Sequence, residues 1–306
     1  MAAPSSLYVV HGLLLPSTTF LSQIQNGSIN VGIQEISVTP AGFPQPMAVH
    51  TGAIRPSVNF TTPQLLSLLT QTGVYGYAAS GNTDFYCKAT ADLGVRVADA
   101  TTSHIRLRAT EGLLNWLSID AQQDGVATAS CRFVPTYDGT NAPLVAAGSV
   151  ALSGTPSGSE CYSMGPVYHN SSALSGVTGW SLDLGISFHE VPSDGEPYLT
   201  YVGVREIAPV LTLRGVRAAN LVTYTMGGTA ITSMLNCYLR RKTPDGGFYA
   251  DGTSNHLEFA GTNGIILPSS ASGGGNEAIN DEVRILLRPA SASAQSLTIT
   301  HSTTIP

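Results

Sequence analysis

The stretch SINVGIQEISVT at residues 28–39 recurs, with changes, as SLDLGISFHEVP at residues 181–192. The two stretches lie 153 positions apart in a chain of 306 residues, which is twice that spacing. An ungapped comparison of residues 28–60 with residues 181–213 gives nine identities in 33 positions, four of them Gly or Pro. Glycine and proline set which backbone conformations are accessible, so their recurrence indicates a repeated backbone and more than a shared apolar composition.

The similarity continues towards the end of each half after the spacing changes by one residue. SHIRLRATEGLL at residues 103–114 corresponds to NHLEFAGTNGII at residues 255–266, with a His, a Thr and a Gly in common. We therefore predict a tandem duplication, with one domain at residues 1–153 and a second at residues 154–306. Each half has an ordinary domain size. The alternative is that two unrelated β-rich domains share a strand composition.

Most of the chain has the alternation of polar and apolar residues that is typical of β-strands. In SHIRLRA, Ile105 and Leu107 fall on one face while Arg106 and Arg108 fall on the other, as in a strand with one solvent-exposed face. The strand-like runs are separated by turn sequences rich in Gly, Pro and Asp.

Each half also contains one segment with helical signals. In VNFTTPQLLSLLTQTG at residues 58–73, Thr62 can cap a helix, Pro63 suits the first helical position and Gly73 suits the end. LTLRGVRAANLVTYTMGG at residues 211–228 is a looser counterpart. We predict a mainly β protein made of two tandem β-sandwich or barrel domains, each with one short α-helix.

The composition excludes some classes of protein. Only 11% of the residues are charged and the net charge is −6, which argues against a protein that grips nucleic acid through a basic face. The apolar stretch LYVVHGLLLP at residues 7–16 lacks the basic leader of a secretory signal and is too short to cross a bilayer. We expect a soluble protein with no membrane partner. The cysteines Cys87, Cys131, Cys161 and Cys237 have no metal-site spacing, so buried free thiols are expected.

The sequence contains few signs of catalytic chemistry. It has no phosphate-binding loop, no nucleophile elbow and no zinc-protease motif. Of the histidines, His104 and His256 recur between the halves, and we interpret them as structural hydrogen-bonding groups. Carboxylates cluster at residues 194–196 and 277–282 in turn-rich stretches, where solvated loops are the default and calcium binding is a less favoured alternative. We predict no enzymatic activity, no cofactor and no metal.

Three stretches of the first half, in this order along the chain, resemble the tail tube proteins of long-tailed bacteriophages. They are SINVGIQEISV at residues 28–38, GAIRPSVNF at residues 52–60 and TTPQLLSLLTQTG at residues 61–73. The second half repeats them more loosely as SLDLGISFHEV, VREIAPVLTL and RGVRAANLVTYTMGG. The second copy departs from the pattern at the start of the helix, where Arg214 and Gly215 replace the two Thr residues.

The resemblance implies a structural virion protein. Tail tube proteins form sixfold rings that stack into a hollow tube, and DNA passes through the lumen only in transit. A chain with two such domains would form a trimeric ring with pseudo-sixfold symmetry. The implied partners are other copies of the chain and further tail proteins, namely the terminator, the tape measure and the distal tail protein. The implied location is the virion tail, assembled in the host cytoplasm.

Two polar, turn-rich hairpin regions that match between the halves are candidates for contacts between rings. They are KATADLGVRVADATTSH at residues 88–104 and RKTPDGGFYADGTSNH at residues 241–256. An ordinary solvent-exposed hairpin is the alternative for each. The predicted assembly contacts are Asp92, Gly94, Arg96, Asp99, Pro244, Asp245, Gly246, Tyr249 and Asp251.

Two other functions remain open from the sequence. The first is another tail component with the same doubled fold, such as a hub or a distal tail protein. The second is a duplicated β-sandwich that binds carbohydrate, which would need exposed aromatic residues repeated between the halves. Trp116 and Trp180 do not occupy corresponding positions, so the sequence gives this reading little support.

Overall fold

A computed structural model describes residues 9–42, 44–88, 104–154, 160–192, 195–216, 229–232, 234–272 and 280–306. The predicted mainly β fold is confirmed, because these residues form 22 strands, one short helix and several antiparallel sheets. The elements of the first half are β1 (Val9–Leu14), β2 (Phe20–Leu21), β3 (Gln25–Asn30), β4 (Ile33–Val38), β5 (Ala48–Ile54), β6 (Ser57–Thr62), α1 (Leu65–Thr72), β7 (Tyr77–Lys88), β8 (His104–Gln122), β9 (Thr128–Thr136) and β10 (Val145–Val150).

The second half contains the remaining strands. They are β11 (Tyr162–His169), β12 (Ser172–Ala173), β13 (Val177–Asp183), β14 (Ser187–Pro192), β15 (Leu199–Glu206), β16 (Val210–Val216), β17 (Thr229–Ile231), β18 (Leu235–Arg241), β19 (His256–Gly261), β20 (Asn263–Ser272), β21 (Asn280–Arg288) and β22 (Thr298–Thr303).

The strand pairings of the first half recur in the second half. Pairs β1–β2, β1–β7, β3–β6 and β4–β5 have the counterparts β11–β12, β11–β18, β13–β16 and β14–β15. Pairs β6–β9, β8–β9 and β8–β10 have the counterparts β16–β21, β20–β21 and β19–β22. The long strands β7 and β8 are each divided in two in the second half, as β17 with β18 and as β19 with β20.

One sheet and one hydrophobic core extend across both halves. The main path of the 13-stranded sheet runs in the order β17-β20-β21-β16-β13-β8-β7-β1-β2, and β3, β6, β9 and β10 pair off this path. On the main path, β8 of the first half pairs with β13 of the second. Trp116 and Trp180, one from each half, are fully buried in the same cluster of apolar side chains. The division into domains at residues 1–153 and 154–306 stays a prediction, since pairing and packing continue from one half to the other.

A glycine with a left-handed backbone conformation explains why residues 28–39 and residues 181–192 are each divided between two strands. Gly32 has φ +59° and Gly185 has φ +54°, and in both a Cβ atom would collide with a backbone carbonyl oxygen. Their N–H groups donate to the side chains of Asn30 and Asp183, at 3.0 and 2.8 Å. Glycine is the residue that adopts this conformation without strain, so the turn recurs together with the glycine.

The helix of the first half is shorter than predicted. Residues 58–62 belong to strand β6, and α1 begins at Leu65, two residues after the predicted start at Pro63. The predicted end is confirmed, because Gly73 follows the last helical residue with φ +52°.

The predicted start of the second helix, at Arg214 and Gly215 within the segment 211–228, is wrong. Residues 211–216 belong to strand β16, in which Leu211 and Leu213 are buried and Thr212 and Arg214 are half-buried. This alternation has the period of a strand, and pairing with β13 and β21 on both sides stabilises it. Residues 217–228 lie outside the described residues.

A carboxylate from the second half binds the first turn of α1. Glu160, which is 7% exposed, accepts hydrogen bonds from the backbone N–H groups of Leu66 and Ser67 and from the Ser67 hydroxyl. The residue at the N-cap position, Gln64, makes no capping bond with its own side chain. Glu160 therefore satisfies helix-end donors that would otherwise be unpaired, and its negative charge is favourable at that end of the helix.

We expect Glu160→Ala to lower the free energy of unfolding by about 1–3 kcal/mol, because buried donors lose a charged acceptor. Urea unfolding followed by circular dichroism measures this change. Glu206→Ala, which removes an exposed carboxylate, is the matched control and should change stability little. Equal effects of the two substitutions would show that the contact of Glu160 with the helix contributes nothing.

Candidate assembly surfaces

The junction between the two halves is a strand pairing. Residues 118–122 of β8 pair in antiparallel register with residues 179–183 of β13. Just beyond the paired segment, the N–H of Leu184 donates to the carbonyl oxygen of Leu117 at 2.9 Å. The junction therefore uses the backbone groups that would otherwise form an open sheet edge.

A hairpin of the second half covers part of the first half at this junction. Leu199 and Val202 of the β14–β15 hairpin form an apolar cluster with Leu113 of β8 and Val134 of β9. Leu113 is 5% exposed and Val134 is 1% exposed, so the hairpin packs over this pair on β8 and β9. The partly buried Phe188 packs against the same cluster.

Charged side chains surround this cluster. The Arg132 guanidinium lies over the Phe188 ring at 5.3 Å from its centroid and 3.9 Å from a carboxylate oxygen of Glu190. Arg55 also reaches Glu190, at 3.3 Å. Because these side chains are partly exposed, the ion pairs add orientation to the junction more than stability.

A large apolar surface is exposed on β3, β4 and β5 of the first half. Within the chain, the side chains of this surface are 38% to 66% exposed: Ile29, Val31, Ile33, Ile36, Val38, Met47 and Val49. A groove of about 320 Å³ lies beside it, lined by Ile29, Val31, Ile33, Pro56, Leu107 and Leu144 among others. The register places Val49 on the same face of the β4–β5 hairpin as Ser37, while Ile36 and Val38 lie on the opposite face. Exposed apolar residues on both faces of one hairpin make it a candidate interaction surface.

The predicted contact residues in the second hairpin region lie in the loop of residues 242–255. Pro244, Asp245 and Gly246 form an exposed turn, in which the N–H of Thr243 donates to the carbonyl oxygen of Gly247 at 3.0 Å. Beside this turn, the Phe248 ring is 50% exposed. The exposed part of the loop, residues 244–248, is called the tip below.

The other two predicted residues in this loop contact strand β18 of their own chain. A carboxylate oxygen of Asp251 lies 2.5 Å from Arg240, and the Tyr249 ring lies beneath the Arg241 guanidinium at 5.6 Å. Tyr249 and Asp251 therefore hold the loop against the sheet, while the tip is available to other molecules. The remaining predicted contacts, Asp92, Gly94, Arg96 and Asp99, lie outside the described residues.

The recurring histidines are buried at the starts of corresponding strands. Nδ1 of His256 accepts a hydrogen bond from the N–H of Arg241 at 3.3 Å, and Nε2 lies 3.0 Å from the carbonyl oxygen of Ala250. The ring thus fastens the loop to β18, which agrees with the structural interpretation of this residue. His104 packs edge-on against Tyr86 at 6.3 Å between centroids.

Both tryptophans are buried. Trp116 donates its indole N–H to the carbonyl oxygen of Gly73 at 2.7 Å, and Trp180 packs against Phe259 at 5.6 Å. Because neither ring is exposed, neither tryptophan could stack on a sugar as the carbohydrate-binding alternative requires.

The four cysteines are free thiols, and three of them are buried. Burial raises the pKa of Cys87 to about 11 and raises the pKa of Cys131 and Cys237 as well. Cys161 is partly exposed. Among the described residues, no group of three or more His, Cys, Asp or Glu side chains could hold a metal ion.

We expect a thiol reagent at pH 8 to modify Cys161 rapidly in the native protein and the other three cysteines only after denaturation. A buried thiol with a raised pKa supplies little of the reactive thiolate. Mass spectrometry after a short treatment with iodoacetamide gives the sites, and guanidinium-treated protein is the control. Rapid native labelling of Cys131 or Cys237 would contradict their burial.

If the chain forms stacked rings, as its resemblance to tail tube proteins implies, the double change Asp245→Ala with Phe248→Ser at the tip should prevent stacking while leaving the fold intact. Asp245 is exposed, and Phe248 is half-exposed with Arg240 and Lys242 over its ring at 6.0 and 5.6 Å, so the double change should shift the melting temperature by about 4 °C or less. Electron microscopy measures tube length, and Tyr201→Ser, which removes an aromatic ring that is 56% exposed elsewhere, is the control. Tubes of normal length would show that the tip is an ordinary solvent-exposed turn.

The described part of the chain contains no helix that is long and apolar enough to cross a membrane. No protein-family profile matches the chain, and no curated protein is similar to it in sequence.

Proposed function

We propose that this protein is a non-catalytic tail tube subunit of a long-tailed bacteriophage, which assembles into stacked rings that conduct DNA. The observation that carries the proposal is the recurrence of the strand pairings in both halves, together with the edge-to-edge junction of β8 with β13. A ring needs several similar wall units that join side by side, and this chain supplies two units already joined.

The junction between the two halves is a contact between two different surfaces, so further units can be added to it in the same way. A surface of the first half, on β8 and β9, binds a different surface of the second half, on β13 and the β14–β15 hairpin. Repetition of such a heterologous contact produces a closed ring when the rotation between units closes, and a helical filament when it does not. The exposed apolar surface on β3, β4 and β5 supports further association through the same kind of contact.

The number of chains in a ring follows from the resemblance to tail tube proteins. Six wall units, with two in each chain, give a trimeric ring with pseudo-sixfold symmetry. The tip at residues 244–248 is the candidate for contact between stacked rings. The net charge of −6 suits a conduit that DNA passes through without being held.

The partners and location form part of the same proposal. They are further copies of the chain, the terminator, the tape measure and the distal tail protein, in a virion tail that assembles in the host cytoplasm. A component at the end of the tube, such as a hub or distal tail protein, would use the same rings without stacking them.

We expect the purified protein to form rings or tubes with three chains in each layer, and a single ring of about 95 kDa, three chains of 31.8 kDa each. Negative-stain electron microscopy and analytical ultracentrifugation of the same sample give the symmetry and the mass. Six chains in each ring would contradict this explanation of the duplication, and single rings that never stack would favour a component at the end of the tube. A monodisperse monomer at high concentration would contradict self-assembly.

A further inference from the structure

We propose that a second copy of this chain binds the first head to tail, so that the junction within the chain is reproduced between chains. Strand β3 and the β4–β5 hairpin of one copy are the head, and strands β20 and β21 of the next copy are the tail. The inference rests on the proposed self-assembly and specifies the surfaces that carry it.

The receiving surface of the tail matches the one used within the chain. Leu113 and Val134 are paired directly across β8 and β9, and Ile265 and Leu286 are paired in the same way across β20 and β21. The β14–β15 hairpin buries the first pair, whereas the side chains of the second pair are only half-buried. The tail thus presents the surface that the junction covers in the first half.

The head carries the counterpart of the hairpin that does the covering. Val202 of β15 is 8% exposed because it packs on Leu113 and Val134, and Val49 of β5, which lies 153 positions earlier, is 56% exposed. The β4–β5 hairpin has the same pairing as β14–β15. The β4–β5 hairpin is thus the counterpart of the β14–β15 hairpin, but no pair of described residues equivalent to Leu113 and Val134 lies beneath it.

The strand edges also match. Within the chain, residues 181–183 pair with residues 118–120. The corresponding segments are residues 28–30 of β3 and residues 270–272 of β20, and both have an edge to which no strand of the described residues is paired. The irregularity in register between β8 and β9 recurs at the same place between β20 and β21, so the two edges have a common shape.

The apolar groove beside β3 is the unfilled counterpart of packed core. Leu182 is 1% exposed and Leu184 is fully buried against the first half, while their counterparts Ile29 and Val31 are 38% and 55% exposed and line the groove. A second copy placed as in the junction would cover both residues. In this placement the free edge of β3 would pair with the free edge of β20 while the apolar groove beside β3 is covered. Both contacts favour continuation of the sheet from one chain to the next.

Charge supports the same placement. In the junction, Arg132 lies over Phe188. The counterpart of Arg132 is Arg284 on β21, and the counterpart of Phe188 is Glu35 on β4, and both of these side chains are exposed. Head-to-tail docking would therefore bring Glu35 of one copy to Arg284 of the next, so that an ion pair takes the place of the cation–ring contact.

The first test uses Val49→Asp, which adds a charge to the face of the β4–β5 hairpin that would contact the tail. The fold of the isolated chain should not change, because Val49 is largely exposed there. Burying an unpaired charge between chains should raise the concentration for half-assembly by about a hundredfold, measured by sedimentation velocity. Val126→Asp is the matched control, since Val126 is 48% exposed in the turn between β8 and β9 and belongs to neither the groove, the head nor the tail.

The second test exchanges the two charges. Glu35→Arg alone and Arg284→Glu alone should each raise the concentration for half-assembly by about tenfold, because each places like charges at the contact. The double variant with both changes should restore assembly towards that of the unmodified protein. If Glu35 and Arg284 do not meet between chains, the double variant should assemble no better than the single variants, and that result would contradict the proposed contact.

The outcomes separate this interface from the proposed function. Rings that tolerate Val49→Asp and both single reversals would overturn the interface and leave the tube proposal standing. Open chains that never close, but that respond to these changes as expected, would support the interface and overturn the ring. An unmodified protein that remains monomeric at all concentrations would overturn both.

Discussion

The pairing of β8 with β13 is the contact on which the rest of the structure depends. It satisfies the backbone groups of residues 118–122, which would otherwise form an open edge, and it joins two halves into one 13-stranded sheet. It also creates the side-by-side placement in which Leu182 and Leu184 become core residues. The helix contact of Glu160 strengthens the same union, since a residue of the second half satisfies donors of the first.

Because the strand pairings of the first half recur in the second, corresponding positions of the two halves can be compared. Val202 and Leu184 are buried in the second half, whereas the corresponding Val49 and Val31 are exposed in the first. The exposed residues lack the neighbouring surface that covers their counterparts. Exposed apolar residues are unremarkable one at a time, but here they cluster on the unit whose counterpart is covered. The junction inside the chain thus serves as a physical template for contacts outside it.

Some of the candidate site was accessible from sequence and some was not. The loop of residues 242–255 could be picked out by its polar, turn-rich composition, but composition could not separate the exposed tip from Tyr249 and Asp251, which face β18. The exposed β4–β5 hairpin was missed as a surface, because its alternating apolar residues look the same whether or not a neighbour covers them. Comparison of aligned positions between the halves could have indicated that it needs a partner.

The mainly β class, the recurring stretches and the turns could be predicted from the sequence, because period-two alternation and recurring residues such as Gly32 and Gly185 act over a few neighbouring positions. The local pattern did not indicate that strand β16 continues through residues 214–216, or that the halves share one sheet. Those outcomes depend on strands distant in the chain, since β16 is held between β13 and β21. Tertiary structure decided which of two similar apolar faces is buried, because burial depends on a neighbour that local sequence does not specify.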